Sequence, residues 1–392
     1  MAAIMIAPVF LLINVYLLAR TLKWLKSLHP ALGKRCFRTV FLVLYLLLST
    51  TVLTSFLFQR PLWLHRILKP VSNLFLGYFL YAILFVLAAD LIALILRRSH
   101  HRAFLSLKRA GILILCPVLL TGTYGYFHER TLYTKEYQVT VDKPLNSEGS
   151  LRIVLASDLH LGYSIGTYHV EHLVNRINEL DADLVLFAGD TFDNEFEAIQ
   201  DPDTISRLLS QIQSTYGSFA CFGNHDMDEP LLGGFSVGKA SDSDDSRMLQ
   251  FFQDSNIRLL NDEAILIDNS FYLVGRKDLG RSEKIEGGRL SPEELLAPLD
   301  KEKPILVLDH EPDELSSLAK AGADLDLSGH THNGQIFPGN LLIGLFWENP
   351  YGVQEVDGMT SVVTSGVGVW GPNMRVGTNS EVVLLTVQFQ ET

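Results

Sequence analysis

Asp158 and His160, two residues apart in Ser-Asp-Leu-His, offer a carboxylate and an imidazole that can point the same way. The same donor types return at Gly189-Asp190, at Gly223-Asn224-His225-Asp226, at His310 and at Gly329-His330-Thr331-His332. Mixed oxygen and nitrogen donors suit Mn, Fe or Zn rather than Ca, and do not choose among the three. Asp190 is a carboxylate that can hold two metals. Two cations about 3.5 to 4 Å apart can share a hydroxide, activate it near neutral pH and neutralise charge on an attacked phosphorus.

Each donor group follows a short apolar run: Leu151–Ala156, Leu184–Phe187, Ser218–Phe222, Ile305–Leu308 and Leu325–Leu327. Runs of this length are expected of strands covered on both faces, and α/β folds place their chemistry at the carboxyl ends of such strands. Five strand ends that each deliver metal-competent groups form a set that chance does not account for. Further strands are expected at Phe271–Val274, Ser361–Val363 and Val382–Val387, and helices at Val170–Leu180, Thr204–Ile212, Pro292–Leu296 and Asp313–Ala321. This alternation predicts a layered α/β architecture. The stretch Glu229–Ser246, rich in Gly, Ser and Asp, reads as an excursion loop.

The ordered set D-x-H, GD, GNHD, a single His and GHTH resembles the calcineurin-like metallophosphoesterase superfamily. The wider wording, SDLHLG at Ser157–Gly162, SGHTHNGQIFP at Ser328–Pro338, and the tail Ser365–Pro372 followed by Arg375-Val376-Gly377, is similar to its membrane-attached YkuE-like branch. The resemblance covers residues 150–390 and implies a four-layered α-β-β-α sandwich. It implies that Asp158, His160 and His332 hold one divalent metal ion, that Asn224, His310 and His330 hold a second, and that Asp190 bridges both. His225 would lie beside the metals without binding them, placed to protonate the leaving oxygen or to hydrogen-bond the phosphate. Asp193 is a candidate to support a ligand. Apart from the resemblance, Arg375 is the one cation near the tail that is a candidate to touch substrate, its alternative being a surface Arg, and Trp347 and Trp370 are candidates for an apolar approach to the site.

Residues 1–127 are a different body. Of 392 residues 47% are hydrophobic and the mean hydropathy is positive, +0.19, which together are too apolar for an all-soluble chain. Before residue 128 stand 14 Lys/Arg and one acid, Asp90; the remainder has 18 Lys/Arg and 43 Asp/Glu, so a part of charge +13 precedes one of −25. An acidic soluble part argues against nucleic-acid binding and against docking on anionic lipid through surface charge. Four stretches, Met1–Ala19, Thr39–Gln59, Pro70–Leu96 and Ala110–Phe127, are each long enough to span a bilayer core of about 30 Å. The first lacks a basic residue ahead of its apolar run and a clear cleavage site, so it reads as a retained helix. Three scattered cysteines form no disulfide framework.

The expected organisation is a four-helix transmembrane domain over 1–127, a polar connector over 128–150 and a catalytic domain over 151–392. Short loops rich in Lys and Arg stay cytoplasmic. The first loop carries Arg20, Lys23, Lys26, Lys34, Arg35 and Arg38, the third Arg97, Arg98, Arg102, Lys108 and Arg109, and the second only Arg60, Arg66 and Lys69. That pattern puts the catalytic domain outside the cytoplasm. The expected function is metal-dependent hydrolysis of a phosphoester or pyrophosphate bond of a lipid-linked substrate, with the bilayer as partner. A cytoplasmic site would instead suit a UDP-2,3-diacylglucosamine-type pyrophosphate hydrolase. The rival of another class is an inactive phosphoesterase-like membrane scaffold, against which the intact ligand set counts.

Overall fold

The computed structural model describes residues 2–57, 60–96, 106–145, 149–227, 231–232, 235–236, 245–282 and 288–390. Five helices come first: α1 (Ala2–Leu28), α2 (Arg35–Ser49), α3 (Thr51–Leu57), α4 (Leu62–Ile95) and α5 (Leu107–His128). Four helical stretches, Ala7–Leu28, Arg35–Ser55, Leu62–Ile95 and Leu107–His128, are long and apolar enough to cross a membrane. The second and fourth start upstream of their apolar runs. There the helix continues through Arg35, Arg38 and Lys108, all of them exposed. Leu17, Val52, Phe75, Phe79 and Val86 form a small core, whereas Leu12, Leu44 and Leu120 stay 70%, 61% and 71% exposed, as expected of side chains that face lipid.

The chain divides into two compact units, one of Met1–Phe127 with Pro230–Val237 and Gly371–Met374, the other of the remaining residues. Of the expected excursion loop, the first unit shows a short antiparallel pair, β5 (Leu231–Leu232) with β6 (Phe235–Ser236). Most of the rest of that loop lies outside the described residues.

In the second unit the strands are β1 (Leu132–Pro144), β2 (Ser150–Ala156), β3 (Leu184–Ala188), β4 (Ser218–Cys221), β7 (Ile257–Leu259), β8 (Glu263–Ile267) and β9 (Phe271–Gly275). They are followed by β10 (Ile305–Leu308), β11 (Leu325–Ser328), β12 (Gly352–Val356), β13 (Met359–Val363) and β14 (Ser380–Gln390). Two six-stranded mixed sheets result, one ordered β1-β14-β2-β3-β4-β7 and the other β12-β13-β11-β10-β9-β8. Period-two alternation builds the layers. Ile153 and Leu155 of β2 face Leu306 and Leu308 of β10 in the core between the sheets. Val154 and Ala156 turn the other way, onto the helices α6 (Thr167–Asn178), α7 (Pro202–Leu209) and α8 (Ser246–Asp254). On the far face Ile305 and Val307 meet two of the later helices, Pro292–Leu296 and Leu315–Ala321. The architecture is the expected four-layered α-β-β-α sandwich.

The stretch expected to be a polar connector, 128–150, is a correction. Thirteen of its residues form β1, an edge strand parallel to β14, and only Glu129, Arg130 and Thr131 separate it from α5. Exposed Gln138, Thr140 and Asp142 alternate with Tyr137, Val139 and Val141, which pack on the inter-sheet core, so a strand with one wet face looks like a linker in sequence.

Candidate metal centre

The parallel strands β2, β3 and β4 of one sheet and β10 and β11 of the other end beside one another, and the turns after them carry all seven expected donors. The backbone bends sharply to do this. Asp158, His160, Asp190, His330 and His332 all have positive φ, between 47° and 68°. Non-glycine residues rarely adopt this region, and its cost is tolerated mainly at functional sites. Gly189 shows why a glycine precedes Asp190: its φ is 74°, and an added Cβ would lie 2.6 Å from Nδ1 of His310.

The donor atoms converge in two groups. In one, His160 Nε2 stands 3.1 Å from His332 Nε2, and His332 Nε2 stands 3.3 Å from Asp158 Oδ1. In the other, Asn224 Oδ1, His310 Nε2 and His330 Nδ1 form a triangle with edges of 3.0 to 3.1 Å. Asp190 Oδ2 lies 3.2 Å from His310 Nε2 and 3.8 Å from His160 Nε2, within reach of both groups. Asp193 and His225 form a further cluster with His160. Asp158 Oδ1 is buried and accepts no hydrogen bond among the described residues. Lone pairs that face lone pairs in a dry site repel unless something positive lies between them. An ion about 2.1 Å from each donor has donor–donor edges of about 3.0 to 3.4 Å, so these groups fit metal ions. Several buried His/Asp groups thus suit a dinuclear site.

Surrounding groups fix the imidazoles. His310 Nδ1 donates to Ala188 O at 2.8 Å, which leaves Nε2 as the lone-pair nitrogen. Asp193 Oδ1 lies 3.7 Å from His160 Nδ1, where a ligand-supporting carboxylate was expected. Burial pushes His330 down to about 3, and burial with His160 and Arg375 holds His332 well below the usual range, so both stay in the neutral form that binds metals. Against the opposing effect of burial, His310 and His225 hold Asp190 well below the usual carboxylate range.

His225 donates its backbone N–H to Asp190 Oδ1 at 2.7 Å, and its Nδ1 bonds Asn194 Oδ1. Asn194 Nδ2 in turn donates to Met227 O at 3.2 Å, which orients the amide. Asn194 was missed from the sequence, although it stands four residues after Asp190. Asp226, next to His225 in sequence, accepts from the backbone of Phe192 and Gly223 at 2.8 and 2.7 Å and ties the β3 and β4 turns together. Both tryptophans flank the site: the ring of Trp347 is 4.9 Å from that of His330, and Trp370 is 6.4 Å from His225.

Arg375 does not meet the expectation of a substrate contact. It is fully buried, and its Nη2 donates to the carbonyls of Ser365, Gly366 and Gly368 at 2.6, 3.1 and 2.7 Å. That loop in turn bonds the first motif, through Val367 N to Ser157 O and Gly368 N to Asp158 O. The SGVGVW tail therefore clamps the turn that carries Asp158.

Residues 151–334 match the family model for calcineurin-like phosphoesterases. A transmembrane protein with a metallophosphoesterase domain from Danio rerio is 28% identical over 397 residues, covering 98% of this chain and 88% of that relative. An uncharacterized metallophosphoesterase of Aquifex aeolicus is 30% identical over 276 residues, 69% of this chain and 97% of its own. The uncharacterized metallophosphoesterase YkuE of Bacillus subtilis is 24% identical over 314 residues, 75% of this chain and 99% of its own.

Proposed function

Because the chain belongs to the calcineurin-like metallophosphoesterase family, we propose that it is a membrane-anchored hydrolase of a phosphoester or pyrophosphate bond in a lipid-linked substrate. In this reading Asp158, His160 and His332 hold one divalent ion, Asn224, His310 and His330 the other, and Asp190 bridges them. Mn, Fe and Zn all suit these donors. The observation that carries the reading is the triangle of Asn224, His310 and His330 donor atoms with Asp190 Oδ2 at its edge.

When bound, such ions supply Lewis acidity for charge on phosphorus and acidify water. The chain's own groups do the rest. Ala188 O keeps Nε2 of His310 aimed inward, and the Asp193 carboxylate stands 3.7 Å from Nδ1 of His160. Asn194 holds His225 through Nδ1, which leaves Nε2 to exchange a proton with the leaving oxygen. Burial pushes the His225 imidazole down to about 4, and the negative charge of a bound phosphate works against that shift. The basic first and third loops support an extracytoplasmic catalytic half.

Exhaustive chelation, with metal loss verified by elemental analysis, is expected to abolish hydrolysis of p-nitrophenyl phosphate and its diester, and added Mn to restore it. Full activity without metal would overturn the reading. For the orientation, protease added to intact cells should cut between Asp242 and Asp245, whereas protection until lysis would reverse it.

A further inference from the structure

Residues 333–347, which run on from the GHTH motif, contain no charged side chain. They form the short helix Gly339–Leu342 and the 3-10 turn Ile343–Leu345. Leu341, Leu345 and Phe346 are 68%, 78% and 76% exposed, and Phe337 and Leu342 are also exposed. Among the described residues from 132 to 390, no other large apolar side chain exceeds 60%. Contiguous exposed apolar surface of this kind marks an interaction site rather than ordinary surface scatter.

The loop has a fixed base at the metal centre. Gln335 bonds both backbone groups of Trp370, donating to its O at 2.9 Å and accepting from its N at 2.8 Å. Phe337 N donates to Val376 O at 2.8 Å, and Thr331 Oγ1 donates to Pro350 O at 2.7 Å. At the far end Trp347 meets the ring of His330. An apolar tip thus stands on a base shared with two donor histidines.

We propose that residues 337–346 insert shallowly into the bilayer and present the metal centre to the phosphate of a membrane amphiphile. This rests on the phosphoesterase reading and names the substrate class. The bilayer is the occupant the chain itself indicates: four candidate spans precede β1, with three residues between α5 and that strand, so a membrane is always within reach. The residues after 127 carry a net −25, so charge does not draw this half to anionic head groups, and apolar insertion is the attraction left. Leu, Phe and Trp on a short uncharged element suit burial of about 5 to 10 Å at the head-group boundary.

The test uses the full chain in phosphatidylcholine vesicles, with Cys36 and Cys116 replaced by Ala; Cys221 is buried and does not label. An environment-sensitive fluorophore on Leu345→Cys should be quenched by brominated lipid. The same fluorophore on Glu302→Cys, before the amino end of β10 and so away from the donors, should not be. Equal quenching at both positions, or none at either, overturns the proposal, as does self-quenching at 345 that reports pairing of two copies. In a second arm, Leu345→Ser with Phe346→Ser should lower the ratio of dioleoylphosphatidate turnover in vesicles to p-nitrophenyl phosphate turnover at least tenfold. An unchanged ratio overturns the proposal. If the unaltered protein hydrolyses neither ester, the catalytic reading fails while the quenching arm still decides the loop.

Discussion

Asp90 in the helical half and Asp190 in the sandwich half both follow apolar runs, yet their surroundings differ in kind. Asp90, on α4, pairs with Arg20 and Tyr16 of α1. Asp190 is fully buried, and its charged neighbours are imidazoles; among the described residues neither it nor Asp158 pairs with a Lys or Arg. A guanidinium is a permanent counter-ion, so Asp90 is neutralised within the protein. Imidazoles can give up their protons, so the carboxylates of the centre keep a demand for positive charge that exchangeable ions can meet. Asp90 thus ties two helices together, whereas Asp190 and Asp158 stand in buried His/Asp groups that fit metal ions.

The strongest way to break it is to remove each acid. Asp190→Ala is expected to lose both metal and turnover, whereas Asp90→Asn should leave metal content and p-nitrophenyl phosphate turnover near the original. Equal metal loss in the two variants would end the distinction. Beside them, His225→Ala should keep both metals and lose roughly 10² to 10⁴ in rate, because it removes only a proton-exchanging group. Metal content by elemental analysis, measured with turnover on the same samples, separates the three outcomes.

The same contrast explains what the sequence made legible. Metal centres draw on few residue types, and the strand-end turns that hold them need glycine at defined places, so Asp158, His160, Asp190, Asn224, His310, His330 and His332 stand out against any background. Eight of the sandwich strands were legible for a related reason: buried strands read as short apolar runs. The strand β1 was not, because it lies at an edge and alternates, and its Lys135, Glu136, Asp142 and Lys143 read as a solvated linker. A cut before Leu151 would therefore remove part of the sheet. Asn194 and Arg375 were illegible as partners because their roles depend on which loops the fold brings beside them, over 31 residues from Asn194 to His225 and 43 from His332 to Arg375.

Arg375 is the converse case, a cation buried with no ion pair to an acid among the described residues. Here a permanent cation serves carbonyls instead of acids: Nη2 reaches three of them, and Nη1 of the same planar fork donates to His332 O at 3.4 Å. Lysine offers a point charge with no such fork, so Arg375→Lys should cost about 3 kcal/mol of stability and weaken metal retention through the Asp158 turn. Thermal unfolding with and without chelator checks this. An unchanged melting temperature would mean that the tail holds its shape without the guanidinium.

Asp326 is a third acid, and among the described residues it forms no ion pair with a Lys or Arg and joins no group of metal donors. Its Oδ2 accepts from Ser361 Oγ at 3.0 Å and Ser328 Oγ at 3.3 Å, and its Oδ1 accepts no hydrogen bond among the described residues. Burial and then the charge of Asp309 push its carboxyl up to about 7, only partly opposed by Ser361 and Arg276. The folded protein therefore keeps a proton there that the unfolded chain releases near pH 4. Folded-state proton binding exceeds unfolded-state binding between roughly pH 4 and 7, so this group's contribution to stability falls as pH rises through that window and levels off above it. Asn is neutral at every pH and close in shape. Asp326→Asn should accordingly gain stability relative to the original protein by about 1 kcal/mol for each pH unit between roughly 5 and 7, and show no further gain above pH 8. Taking the difference between the two proteins at each pH cancels the titration of the donor histidines, which both share. A difference that stays flat from pH 5 to 8 would mean that Asp326 is already charged in the fold, held by Arg276 as Asp90 is held by Arg20, and the distinction among the acids would lose its third case.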